Sequence, residues 1–352
     1  MVLFTVGPVE MYERTLKVAS KKLPYFRQQS FSDQTIESEK MIKELLNANK
    51  ASVVFLASSG TGAMDATIQN VVMPEDKVLV ISGGTFGKRF EEICSHYSLS
   101  YDSLVVNFDE DLGEEHFSRY EQKGYSIVLV NMNETSICKL YDMELVSAYC
   151  QRNHCFLIVD AISAFLCDHI DFEKFNIDAL IISSQKALSL SPGLSIVVLS
   201  EKIVKERVFK TKPSYYFDFK NYLKDISRGQ TPFTPAVGIL IELNDMLRFI
   251  IERGIKKHME EIEKRAKYFR NIMQIEGIDI PKYKLSNAVT PIIFKEKNAY
   301  DVFLKLSSEY DYYLTPSGGI YKDRLLRVSH MGDLSFDDYD RLVEYLKRIV
   351  IM

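Results

Sequence analysis

Three features of the sequence predict an α/β fold, with a mostly parallel sheet in a large domain and a smaller α+β domain at the C-terminal end. Between about residues 50 and 200, seven short runs rich in Val, Ile and Leu alternate with amphipathic segments of helix length. These runs are apolar on both faces, as strands buried within a parallel sheet are. From about residue 240 the texture changes to long helical patterns, followed by only two strand-like runs. The 352 residues, 46% hydrophobic and 26% charged, suffice for a large core and exclude global disorder.

The seven runs are "SVVFLA" (52–57), "KVLVIS" (77–82), "SLVVNF" (103–108), "SIVLVNM" (126–132), "CFLIVDA" (155–161), "DALIIS" (178–183) and "LSIVVLS" (194–200). "GKRFEEICSHYS" and "MELVSAYCQRN" between them have the length of crossover helices. The stretch 236–274 is helical almost throughout, with Gly254 as its natural break. "TPIIFKE" and "LLRVSH" read as strands, and "SFDDYDRLVEYLKRIVI" as a closing helix with Ser335 as N-cap. The expected organisation is an N-terminal arm (1–15), a large domain (16–250) and a small domain (251–352).

A formal net charge of −4 and a pI near 6.0 leave no basic footprint for nucleic acid or an anionic membrane. No run approaches the roughly 18 apolar residues of a membrane span, and the N-terminus lacks the features of a secretory signal. Five scattered cysteines without a CxxC pair fit reduced thiols in a cytoplasmic protein. The six histidines show no metal-ligand spacing, so no metal is expected.

In open parallel sheets, ligands bind beyond the carboxyl ends of the strands. After the first run, Ser58-Ser59-Gly60-Thr61-Gly62 leads into a helix, which offers free N–H groups and a positive dipole end to a phosphate. The same residues also read as a plain strand-to-helix turn capped by Ser59. After the fifth run, Asp160 ends an apolar stretch and calls for a cation or a protonated nitrogen; an N-cap is the alternative. After the sixth, Lys186 stands in "SSQKAL" with no carboxylate near it in sequence, 26 residues beyond Asp160 (186 − 160). Alone it reads as a surface lysine. Together, a phosphate cradle, an acid and an amine at one sheet edge are what pyridoxal 5′-phosphate requires.

At this point the chain resembles the class V aminotransferases, of pyridoxal-phosphate fold type I. "FTVGPVEMYERT" is similar to the family's opening arm, with Val6 in place of its first proline. "ASSGTGAMDA", "GGTFGKRF", "NETS", "VDAIS", "SSQKAL", "GQTPFTPAV" and "LLRVSHMG" follow in the family's order. The resemblance implies that Lys186 is the Schiff-base lysine and proton carrier and that Asp160 pairs with the pyridine N–H. It further implies that Phe86 stacks on the ring, that Thr135 bonds the phenolic oxygen, and that Ser59, Gly60, Thr61 and Gln185 hold the phosphate. Thr234, with Thr231 close by, would reach the neighbouring subunit's cofactor, hence a homodimer with shared active sites. Arg327 would bind the substrate carboxylate, with Gly7 of the arm beside it. Met132 replaces a frequent histidine, and Ile137-Cys138 replaces the family's Thr-Gly.

The implied activity is ping-pong transfer of an amino group from a small donor of the alanine or serine type to glyoxylate or pyruvate. An aminoethylphosphonate–pyruvate variant, aided by Arg27 or Arg324, is the alternative. A lyase of the cysteine desulfurase type is disfavoured by Phe86 at the stacking position and by the lack of a loop cysteine.

Overall fold

The computed structural model describes residues 1–351. All seven apolar runs enter one sheet, as β1 Ser52–Leu56, β2 Lys77–Ser82, β3 Ser100–Val105, β4 Ile127–Asn131, β5 Phe156–Asp160, β6 Ala179–Ser183 and β7 Ser195–Leu199. Their spatial order is β1-β7-β6-β5-β4-β2-β3. Alternate residues face opposite sides. Leu79, Ile81, Val128, Val130, Leu157 and Val159 join one apolar cluster, whereas Val78, Val80, Ile127, Leu129 and Ile158 join another. Each such side chain contributes roughly 1.5–3 kcal/mol on burial.

Two details depart from the sequence expectation. β7 is antiparallel to both of its neighbours, while the other pairs are parallel. Only residues 184–194 link β6 to β7, and they contain no helix, so a right-handed parallel crossover has no room. β3 lies three residues earlier than the apolar run at 103–108. As an edge strand it alternates exposed and half-buried residues over "SYDSLV", with Leu104 alone fully buried, so continuous apolarity is a poor guide to it.

The helices that matter here are α1 Gln29–Leu45, α2 Gly60–Val71, α3 Thr85–His96, α4 Met143–Arg152, α5 Val237–Arg253, α6 Ile255–Ile272 and α7 Phe336–Ile351. The long helical stretch breaks at Gly254, whose φ of +89° suits a residue without Cβ. On either side of that break α5 packs against α1, and α6 against α7. α7 is capped by Ser335, whose hydroxyl accepts from Asp338 N–H (3.3 Å) while the Asp338 carboxylate accepts from Ser335 N–H (2.9 Å).

A second, antiparallel sheet joins β8 Ile278–Asp279, β9 Val289–Phe294, β11 Leu325–Ser329 and β10 Thr315–Pro316, in that spatial order. Its own apolar cluster includes Phe4, Phe269, Phe294, Val328 and Leu342. Val2–Leu3 pairs in parallel with Tyr312–Tyr313, so the N-terminal arm crosses onto this part of the molecule. The two sheets are joined where Ser286 donates to Asp168 (2.5 Å) and Leu140 N–H donates to the Lys284 carbonyl (2.9 Å). No helix among the described residues is long and apolar enough to cross a membrane.

Candidate active site

β1, β5 and β6 end at one edge of the large sheet. In register, Asp160 at the end of β5 stands beside Ile181 of β6, and Lys186 follows β6 by three residues. The acid and the amine are therefore brought together, and each shifts the other's titration. Lys186 is buried (8% exposed) and donates to the carbonyl of Val6 in the N-terminal arm (2.5 Å). Burial, reinforced by the Arg327 guanidinium and opposed by Asp160, pulls its amine down to about 8. Asp160 is pushed up to about 6 by burial, against the pull of the Ile162 N–H (2.8 Å) and Lys186.

Gly7 lies directly on the lysine. A Cβ there would stand 2.9 Å from Lys186 Cδ, Cε and Nζ, and its φ of +139° already excludes most side chains.

After β1 the chain turns straight into α2. The Ser59 hydroxyl accepts from Gly62 N–H (3.2 Å), so Ser59 is a true N-cap. The Ser59 carbonyl takes Ala63 N–H, which leaves Gly60 and Thr61 N–H without acceptors among the described residues. Gly60 is tightly packed, since a Cβ would meet Ile162 Cδ1 at 2.5 Å. Gln185 is half-buried, and its Oε1 accepts from Ser183 (2.6 Å), so its amide NH₂ is unpaired among the described residues.

The third wall is the "NETS" turn. The buried Glu134 carboxylate accepts from Phe86 N–H (3.3 Å), Gly87 N–H (2.9 Å), Ser136 N–H (3.2 Å) and the Asn131 amide (3.0 Å). It thereby caps α3 from across the sheet and fixes Phe86, which is half-buried. Thr135 is buried; its hydroxyl donates to the Asn133 carbonyl (3.1 Å) and its own carbonyl accepts from Arg327 (3.1 Å). Arg327, on β11, also donates to the Pro316 carbonyl (2.7 Å), and its Nε–H is buried without a partner. Both polar atoms of the Asn133 amide and the Tyr141 hydroxyl are likewise orphaned.

Met132, Ile137 and Cys138 are all buried here. Cys138 adopts φ +61°, the left-handed conformation that favours glycine, at the position where the family resemblance expects one.

Thr231 is buried, with its hydroxyl on the Phe233 carbonyl (2.6 Å). Thr234 is exposed and makes no hydrogen bond among the described residues, so this chain alone does not bring it to Lys186. Arg324 lines a separate crevice of about 160 Å³ with Phe108 and Tyr321, and Arg27 donates to Gln230 (3.1 Å). A larger crevice, of about 620 Å³, lies beside Lys50, His154 and Lys202, at the amino ends of β5 and β6.

Orphaned donors, a glycine-packed cradle, a partly neutral lysine and a buried acid fit a phosphorylated pyridine aldehyde. Fold and site together define a pyridoxal-phosphate enzyme of fold type I. The class-V aminotransferase family model matches residues 10–311, and the chain belongs to that family. It is 26% identical to "Soluble hydrogenase, small subunit" of Synechococcus sp. over 99% of this chain and 92% of that protein. It is 25% identical to L-aspartate–glyoxylate aminotransferase of Paracoccus denitrificans, over 95% of this chain and 87% of that one. Its fold matches the crystal structure of ureidoglycine–glyoxylate aminotransferase from Bacillus subtilis at a TM-score of 0.93, with 22% identity, covering 99% and 92% of the two chains.

Sequence reasoning gave no role to Val6, whose carbonyl holds the lysine, or to Glu134, whose carboxylate holds α3. Val6 acts through its backbone, which no residue type signals. Glu134 carried a signal, because an acid inside an apolar stretch needs donors.

Proposed function

We propose that the chain transfers an amino group from a small α-amino acid to glyoxylate or a similar 2-oxo acid, with Lys186 as covalent anchor and base. The observation that carries this reading is the pairing of Lys186 and Asp160, shifted in opposite senses at one strand edge. Pyridoxal phosphate, when bound, supplies a carbonyl that condenses with amines and a ring that takes up the electron pair left at Cα.

The protein's part follows from its own groups. Lys186, with its amine pulled down to about 8, presents a nucleophile that is neutral in a useful fraction of molecules near neutral pH. Once released, Nζ removes the Cα proton of the donor. Asp160, ionised above about pH 6, would accept the ring N–H and keep that nitrogen protonated. Phe86 would cover the ring, and the Thr135 hydroxyl, now on the Asn133 carbonyl, would serve the ring oxygen. Ser59, Gly60, Thr61 and Gln185 hold the phosphate. The unpartnered Nε–H of Arg327 is free for one carboxylate oxygen of the substrate, and Gly7, lacking a Cβ, lets the arm lie against the lysine beside it.

The exposure of Thr234 and of Tyr215 (80%) beside Phe233 supports a homodimer in which Thr234 and Thr231 serve the neighbouring site. Glyoxylate as acceptor is supported by the activities named for the Paracoccus and Bacillus proteins. Arg324 sits three residues from Arg327 along an extended segment and so faces the other way, which favours a monocarboxylate over a phosphonate donor.

The test is spectroscopic. The visible band of the bound cofactor should bleach with alanine or serine and return with glyoxylate. A protein that holds the cofactor but shows no bleaching with any small amino acid contradicts the proposal.

A further inference from the structure

At the mouth of the cradle stands a cation with no assigned task. Arg89, half-buried on the second turn of α3, donates through Nη1 to the Thr61 hydroxyl (3.1 Å) on the first turn of α2. Its guanidinium carbon lies 5.3 Å from the centre of the Phe86 ring. No carboxylate among the described residues lies within ion-pair distance of it, although most other arginines of the large domain have one.

This placement is electrostatically adverse as it stands. A cation near the start of α3 opposes that helix's dipole, and contact with Thr61 sets it against the positive end of α2 as well. The Gly60 and Thr61 N–H groups, on the same first turn of α2, have no acceptor among the described residues. The nearby carboxylate of Asp160 feels the Arg89 charge but is already held by Ile162 N–H. Two helix ends and an unpaired guanidinium at one point lower their combined cost only when a multiply charged anion joins them.

We propose that Arg89 is a phosphate-end positioning residue, a clasp that bridges the α2 cradle and the Phe86 wall and selects the phosphorylated cofactor over its dephosphorylated form. The inference rests on reading this edge as a pyridoxal-phosphate site and adds a residue to it. The guanidinium supplies the charge that Ser59, Thr61 and Gln185 lack, and its hydrogen bond to Thr61 holds the cradle closed against the ring wall.

The test uses full-length protein stripped of cofactor, titrated separately with pyridoxal phosphate, with pyridoxal and with inorganic phosphate as competitor. In Arg89→Gln, pyridoxal phosphate should bind at least about tenfold more weakly and phosphate should cease to compete, while pyridoxal binding shifts by less than about threefold. Arg89→Lys, which keeps a cation without the fork, should fall between the two. Equal weakening for pyridoxal and pyridoxal phosphate would show that Arg89 only packs Phe86, and unchanged phosphate competition would show that it carries no anion; either result overturns the proposal. If Arg89→Gln does not fold, the same titrations of Arg89→Lys decide it. Loss of the wider reading looks different: wild-type protein would then condense with neither aldehyde.

Discussion

Among the described residues two lysines are buried, Lys139 and Lys186, and they are buried for opposite reasons. Lys139, fully inaccessible, donates to the carbonyls of Asn107 (2.7 Å) and Glu110 (2.5 Å) and lies 4.5 Å from the centre of the Tyr283 ring. The Lys186 amine makes one hydrogen bond among the described residues, to Val6. Burial pulls both amines to about 8. Around Lys139 the listening charges are all acidic (Asp111, Glu110, Asp109 and Glu134) and push the amine back up. Around Lys186 the largest charge effect is that of Arg327, which pushes it further down. Burial alone therefore does not make a nucleophile. The sign of the neighbours and the number of acceptors decide whether a buried amine is a staple or a reagent.

The strongest way to break this contrast is to exchange the consequences. Lys186→Ala should lower turnover by at least about a thousandfold while the fold persists, since removing a covalent nucleophile deletes the step itself. Lys139→Met should do the reverse, costing roughly 2–4 kcal/mol of stability through two stranded carbonyls, with turnover per folded molecule largely retained. Denaturant unfolding and steady-state assays on both variants separate the two outcomes.

Gly7→Ala tests how closely the lysine is held. Its Cβ would press on Lys186 Cδ, Cε and Nζ at 2.9 Å, and a displacement of that order is expected to slow condensation with pyridoxal phosphate by roughly a hundredfold. Stopped-flow absorbance measures the rate.

The pH dependence sharpens the contrast further. Because the neutral amine is the nucleophile, the rate at which cofactor-free protein takes up pyridoxal phosphate should rise about tenfold per unit below pH 8 and level off above it. A flat profile between pH 6 and 9, in roughly that range, would mean that Lys186 is not titrating there.

The smallest expected effect is on stability. Asp160 has its folded pKa raised, from 3.8 to about 6, so the fold disfavours its ionised form. That penalty is absent below about pH 4, grows as pH rises through about 6 and is full above it. Asp160→Asn should therefore stabilise cofactor-free protein above pH 6 by roughly 1–3 kcal/mol, yet impair activity. Thermal melts at pH 5 and pH 8 check the sign.

How far the sequence reached follows the same physics. Strands buried on both faces announce themselves through unbroken Val/Ile/Leu runs, and all seven were legible. β3 was displaced because an edge strand alternates, and the reversed direction of β7 was overlooked although the short link 184–194 signalled it. Within the site, the cradle Ser59, Gly60 and Thr61, Asp160 and Lys186 stood out at strand ends, whereas Phe86, Thr135, Gln185, Arg327 and Gly7 were placed by family likeness; the structure gathers all of them around one edge. Thr234 was likewise placed by family likeness, and the role proposed for it needs a second subunit. Val6 was noted only as a departure from a proline and Arg89 only as part of a turn motif, because their meaning lies in contacts across the fold: a backbone carbonyl reaching 180 residues along the chain, and an arginine whose side chain bonds, among the described residues, a threonine on the preceding helix.

The central claim is that Lys186, and not Lys139, is the reactive amine. Borohydride reduction of the protein with bound pyridoxal phosphate, followed by peptide mass spectrometry, tests it most directly. The account predicts the pyridoxyl label on the peptide carrying Lys186, with Lys139 unmodified. Label on Lys139 or on surface lysines, with Lys186 unmodified, would contradict it.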